Sequence, residues 1–280
     1  MIKDILVHVP TERPPRPVVD ASISLAQSFR AHLDAVATGY MRPSIAYAGD
    51  GGVATAVAAL FDMEQKRAAE RSAAALAVFE TEARNAEIAY ECRSIQDFPA
   101  DAATAIGAAA RLYDLAIVLQ PDAAQDSLDN TTSTELLLQA GGPVLFVPHI
   151  FRGTFKPRRI GICWDGSRPA ARALKDARPF LSRSETLVVI SINETQFPPA
   201  EASAQKLMQH MGRSALSTTL IELTAERSEI QPSILSLAAD ESLDMLVMGA
   251  YGHSRIREGI FGGVTREMLR TMTVPTLMSH

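Results

Sequence analysis

Short runs of consecutive apolar residues recur along the chain in a fixed order. The first half carries Ile5–Val9, Leu33–Thr38, Glu87–Glu91, Asp114–Leu119 and Pro143–Val147. The second half carries Ile160–Trp164, Thr186–Ile192, Thr218–Glu222, Asp244–Met248 and Val274–Met278. Runs this short, rich in Val and Ile and without strict alternation, predict strands buried on both faces. Between them the apolar period changes to three and four. Val18, Ser22, Leu25 and Phe29 share one helical face, as do Ala171, Leu174, Ala177 and Leu181. The stretch Val53–Asn85 is Ala-rich, studded with Glu and Arg, and free of Gly and Pro, which predicts one long helix.

Strands that alternate with helices imply a parallel sheet covered on both faces. The two halves also repeat one another. Asp114-Leu-Ala-Ile-Val aligns with Asp244-Met-Leu-Val-Met 130 residues later, and Pro143 aligns with Pro275 after 132. The predicted fold class is therefore α/β, with two Rossmann-like domains, each an open five-stranded parallel sheet with about four helices on its faces. The segment His149–Pro157, with its Pro, Gly and basic residues, reads as the linker, which places the domains at 1–150 and 158–280.

Composition narrows the function. Of 280 residues, 27 are basic and 32 acidic, a net charge of -5 that argues against a nucleic-acid or membrane-surface binder. No apolar run is long enough for a membrane span. The opening stretch is too short in apolar residues for a secretion signal, so a soluble cytoplasmic protein is expected. In that compartment the sequon matches at Asn130 and Asn193 carry no meaning. Cys92 and Cys163 make neither a disulfide framework nor a CxxC metal pair, and His8, His32, His149, His210, His253 and His280 form no ligand-spaced set.

In an open parallel sheet, ligands bind beyond the carboxyl ends of the strands, where strand order reverses. In the second half the first strand runs into Asp165-Gly166-Ser167, a turn with an N-cap. The fourth runs into Gly249-Ala-Tyr-Gly252-His253-Ser-Arg255-Ile-Arg257-Glu-Gly-Ile-Phe-Gly262-Gly263-Val264-Thr265, followed by a helix. Glycines admit close backbone approach, a helix start offers free N–H groups to a phosphate, and Thr265 adds a hydroxyl. The loop is neither a Walker A loop nor GxGxxG. The matching first-half loop holds Leu119 and Asp122 in place of Gly249 and Gly252. It carries four acidic residues and no basic one between Gln120 and Ala140, and Pro10 stands for Asp165. That half keeps the scaffold and loses the site, with the stiff Arg13-Pro-Pro-Arg16-Pro17 stretch replacing a binding loop.

The spacing Gly249-x2-Gly252-x9-Gly262 after a buried strand, together with the Asp165 turn, resembles the nucleotide-binding motif of the universal stress protein family. Across both halves the chain looks like a tandem member of it. The resemblance implies binding of ATP, or of ADP or AMP, with or without Mg²⁺. Asp165 would meet the nucleoside, main chain near Ile192 the adenine, and Met248, Gly249, Gly252, Gly262, Gly263, Val264 and Thr265 the ribose and phosphates. One departure is visible: Gly263 stands where the family usually has Ser or Thr, which removes one hydroxyl donor worth about 0.5–1.5 kcal/mol.

The resulting expectation is a stress-associated, nucleotide-dependent regulatory protein that binds an adenine nucleotide in its C-terminal domain. It has no catalytic residues, no metal site and no identified protein partner. Family members pair their final strands across a dimer, which implies an intramolecular pseudo-dimer here, with a homodimer of chains also open. The alternatives are a slow adenine-nucleotide hydrolase or transferase using the same loop, and a ligand-free structural or regulatory tandem protein.

Overall fold

A computed structural model describes residues 1–42, 53–193, 200–213, 217–251 and 262–280. Its strands are β1 (Asp4–Val9), β2 (His32–Tyr40), β3 (Tyr90–Asp97), β4 (Leu115–Leu119) and β5 (Val144–Val147), then β6 (Arg159–Cys163), β7 (Thr186–Ile192), β8 (Thr218–Leu223), β9 (Met245–Gly249) and β10 (Thr276–Ser279). The helices are α1 (Arg16–Phe29), α2 (Val53–Asn85), α3 (Pro99–Ala110), α4 (Leu128–Gln139), α5 (Arg168–Asp176), α6 (Arg178–Leu181), α7 (Ala204–Gly212), α8 (Ile230–Asp240) and α9 (Gly262–Thr271). Short 3-10 turns at Ala200–Ala202 and Arg227–Glu229 precede α7 and α8.

The ten strands form a single sheet in the order β3-β2-β1-β4-β5-β10-β9-β6-β7-β8. All pairs within each half are parallel. The sole antiparallel pair among the described strands is β5 with β10, Leu145 opposite Leu277, so each final strand covers the other's edge. This is the pairing expected from the resemblance. Pro275 immediately precedes β10, where its missing N–H costs no ladder bond.

The sheet separates two apolar layers because successive strand residues face opposite ways. On one side Ile5, Val7, Ile117, Leu145, Ile160 and Val247 pack with α1, α2, α5, α6 and α7. On the other, Leu6, Val118, Phe146, Val188, Leu246 and Met248 pack with α3, α4, α8 and α9. Helix α2 has the predicted bounds, and it buries Ala68, Ser72, Ala75, Leu76, Phe79 and Ala83 at steps of three and four.

Two predicted elements differ. The third strand lies at Tyr90–Asp97, not Glu87–Glu91. It is an edge strand paired only with β2 and has no buried residue, so it carries no continuous apolar run to mark it. Glu87, with φ 54°, instead turns the chain out of α2. The helix expected through Ala171–Leu181 is broken into α5 and α6, because Pro179 lacks the N–H and clashes with the preceding turn.

The halves repeat in detail. The Asp114 carboxylate accepts from the N–H groups of Lys3 and Asp4 at 2.7 and 3.2 Å. The Asp244 carboxylate accepts from those of Arg158 and Arg159 at 2.9 and 2.8 Å. The connection between the halves is anchored: Phe155 is buried and meets Phe151 edge-to-face at 5.9 Å. Phe29 and Phe180 join α1 to α6 in the same geometry at 5.3 Å. Arg183 lies 4.1 Å over the Phe29 ring and donates to the Ser28 carbonyl at 2.8 Å. Among the described residues, no helix is long and apolar enough to cross a membrane.

Candidate nucleotide site

In the second half the chain runs from β6 through β7 to β8, then returns to the other side of β6 as β9, so strand order reverses between β6 and β9. The turn after β6 is built locally. Asp165 Oδ1 accepts from the Ser167 N–H at 2.9 Å, Gly166 takes φ 68°, and Ser167 Oγ caps α5 by accepting from the Ala170 N–H at 3.2 Å. Both the turn role and the cap role of Asp165-Gly166-Ser167 are therefore real. They leave the Asp165 carboxylate exposed at the cleft rim.

Of the residues implied by the resemblance, six line one cleft at the reversal: Asp165, Ile192, Met248, Gly249, Val264 and Thr265. Thr265 is buried at 4 % exposure, on the first turns of α9. Gly262 begins α9 and Gly263 follows it; a side chain at Gly263 would meet nothing within 4 Å. Gly252, His253, Arg255 and Arg257 lie outside the described residues.

Gly249 has a different reason to be glycine than ligand approach. A Cβ there would lie 2.4 Å from the Ala170 nitrogen and 2.6 Å from the Pro169 carbonyl carbon. The end of β9 thus packs directly on the first turn of α5, and the missing side chain holds Ser167 and Asp165 where they are. Tyr251, two residues on, enters the left-handed region at φ 51° as the chain leaves the strand.

Four apolar residues with no role expected from the sequence complete the cleft: Ile190, Ile230, Ile234 and Trp164. Ile190 and Ile192 alternate on β7, and Ile230 and Ile234 stand one helical turn apart on α8. The signal was present in the spacing, but nothing in the sequence says which helix covers that end of the sheet. Cys163 lies on the wall. Burial, with the Asp165 carboxylate adding to it, pushes its thiol up to about 12, so it stays protonated and unreactive.

At the equivalent place in the first half, the protein occupies the position with its own side chains. Glu12 Oε2 accepts from the Leu128 N–H at the start of α4 at 2.8 Å, putting an internal carboxylate where a helix start would attract an anion. Ser127 Oγ takes the next N–H, of Asp129, at 3.3 Å. The buried Asp129 carboxylate accepts from the N–H groups of Thr11 and Glu12 at 3.3 and 2.9 Å. Arg13 is buried as well, donating to the Gln120 carbonyl at 2.5 Å and to Asn130 Oδ1 at 3.2 Å. The stiff Pro14-Pro15 stretch leads straight into α1.

His32 Nε2 sits 2.8 Å from Asp34 Oδ1, and Glu91 joins them from β3 with ligand atoms within 4.8 Å of one another. Sequence spacing did not reveal this trio because Glu91 comes from the neighbouring strand, opposite Asp34.

Comparison with known proteins agrees with this fold. Residues 156–280 match the model of the Universal stress protein family. The universal stress protein Slr1230 of Synechocystis sp. is 28% identical over 144 residues, which are 48% of this chain and 46% of that protein. The chain thus spans about half the length of the curated relative it matches. The crystal structure of a universal stress protein from Archaeoglobus fulgidus covers 98% of this chain and 95% of its own, with a TM-score of 0.73 at 16% identity. A functionally unknown protein from Pseudomonas aeruginosa PAO1 covers 99% and 92%, with a TM-score of 0.58 at 16% identity. These two likenesses concern the fold. The β6–β9 cleft, the glycine-bearing exit of β9 and the match to the Universal stress protein family all fall in the same half of the chain, within residues 156–280.

Proposed function

We propose that the second half binds one adenine nucleotide, ATP or its diphosphate or monophosphate, in the cleft between β6 and β9, and that the first half binds none. The observation that carries the reading is the contrast between the two equivalent positions. One is a cleft walled by Ile190, Ile192, Ile230, Ile234 and Met248. The other has its helix start capped by Glu12 and its interior filled by Arg13. The lining suits the ligand: apolar side chains accept the faces of a purine, Asp165 accepts hydrogen bonds from ribose hydroxyls, and the start of α9 with Thr265 meets phosphate oxygens. A bound triphosphate brings several negative charges to that helix start, and its loss changes the local field.

The same lining supports a binding role over a catalytic one. Among the described residues of the cleft, the titratable side chains are Cys163 and Asp165, and the thiol is held protonated. Asp165 spends one oxygen on the Ser167 N–H. The nucleotide-dependent step is then a change in surface presented to a partner, with positioning too sparse for fast phosphoryl transfer.

Isothermal titration of the full chain with ATP, ADP and AMP tests this. One site per chain is expected. Two equivalent sites would contradict the occluded first half, and no heat with any of the three nucleotides would remove the reading altogether.

A further inference from the structure

Trp164 lines a second cavity besides the nucleotide cleft. The second cavity lies on the other face of the sheet, between α5–α6 and α7, and has a volume of about 670 Å³, within the range of small-molecule sites. Its floor is apolar: Leu181, Leu207 and Met211 are each 5 % exposed and belong to the core on that side. The Trp164 indole N–H is satisfied by the Ala202 carbonyl at 2.8 Å, which fixes the ring and leaves its apolar surface to the cavity.

The rim has the opposite character. Lys175, Arg178 and Lys206 stand exposed around the opening, and none of them is in an ion pair among the described residues. Elsewhere among the described residues some exposed arginines are matched, Arg16 with Asp20 and Glu82, Arg42 with Glu12, Arg84 with Glu80, Arg158 with Glu185 and Arg172 with Asp176, while Arg30, Arg93, Arg152 and Arg168 stand exposed singly; what sets Lys175, Arg178 and Lys206 apart is that all three line one cavity. Glu201 is the one carboxylate among the lining residues. Three cations with no ion pair among the described residues, against the one carboxylate of Glu201, ring an apolar pit on a protein whose net charge is -5.

We infer that this cavity is a binding site for a monomeric fatty carboxylate, its chain on Leu181, Leu207, Met211 and Trp164 and its head between Lys175, Arg178 and Lys206. Charge selects the class. An uncharged hydrocarbon leaves the three cations without a counter-ion, and a small inorganic anion leaves the apolar floor in water. The lysine and arginine stems can lie along the chain while their heads reach the carboxylate.

Decanoate is the probe, titrated into the full chain below its micelle concentration by calorimetry and by fluorescence of Trp164, the single tryptophan. One decanoate per chain is expected, with a change in Trp164 emission. The double substitution Lys175→Glu/Lys206→Glu, at exposed positions that leave the fold alone, should weaken it by roughly tenfold or more. Decanol, with the same tail and no charge, should bind weaker by a similar factor. Saturating ATP should leave decanoate bound. The inference is overturned by no binding, by equal affinity of the double variant or of decanol, or by displacement with ATP, which would put the tail in the other cleft. Sedimentation with anionic vesicles in the absence of any decanoate binding would equally overturn it, in favour of a lipid surface.

Discussion

Replacing Gly249 by alanine separates two reasons for a glycine at the end of β9. If the residue served only to let a ligand approach, Gly249→Ala would cost affinity and leave stability alone. The structure gives it a packing role. Real Cβ contacts are ordinary from 3.4 Å outward, and this one would fall at 2.4 Å from the Ala170 nitrogen and 2.6 Å from the Pro169 carbonyl carbon. Those are backbone atoms and cannot swing aside, so the first turn of α5 has to retreat by about 1 Å, at a cost of roughly 1–3 kcal/mol. The smaller entropy of the unfolded alanine chain offsets ~0.4–1 kcal/mol of that. A net loss of about 1–2 kcal/mol lowers the melting temperature by roughly 2–8 °C. Because the displaced turn carries Ser167 and Asp165, nucleotide affinity should drop in the same variant. Gly263→Ala is the control, since a side chain there meets nothing within 4 Å. Differential scanning calorimetry on both variants is the assay. A Gly249→Ala protein that melts with the wild type would refute the packing argument.

Gly263→Ser restores a hydroxyl at an open position; nucleotide affinity should rise by about 2- to 12-fold in a calorimetric titration, and an unchanged Kd would show that this position does not face the phosphates. Burial holds the His8 imidazole below its usual 6.5, against an opposing pull from Asp129. The unfolded chain therefore gains a proton before the folded one does. His8 contributes no penalty above pH 6.5, and stability is lost as pH falls from there through the folded value. Urea unfolding at pH 7.5 and pH 5.5 should show a smaller difference for His8→Gln, and an identical pH slope would rule His8 out. A fragment of residues 158–280 would expose the β10 edge that β5 covers, so light scattering should report self-dimers or aggregates; a soluble monomer at high concentration would show that the β5–β10 pairing is dispensable.

Patterning alone carried the strand count, the alternation with helices and the internal repeat, because buried parallel strands are short continuous apolar runs and amphipathic helices repeat every three or four residues. Helix α2 was legible to the residue, since an Ala-rich stretch without Gly or Pro has no competing structure. The edge strand β3 was not, because exposure on an outer edge leaves only a polar sequence such as Glu91-Cys92-Arg93-Ser94 to read. The break at Ala177 was written in Pro179, yet the apolar spacing continued across it. At the candidate site, Asp165, Gly249 and Thr265 could be named from the loop after each strand, because strand order fixes which loops meet, whereas Met248 and Ile192 were implied only by the family resemblance. What sequence could not supply is distance between segments. Only the tertiary structure brings Ile230 and Ile234 of α8 over Ile190 and sets Gly249 against Pro169. It alone turns Glu12 onto the start of α4, and each of these contacts joins residues dozens of positions apart.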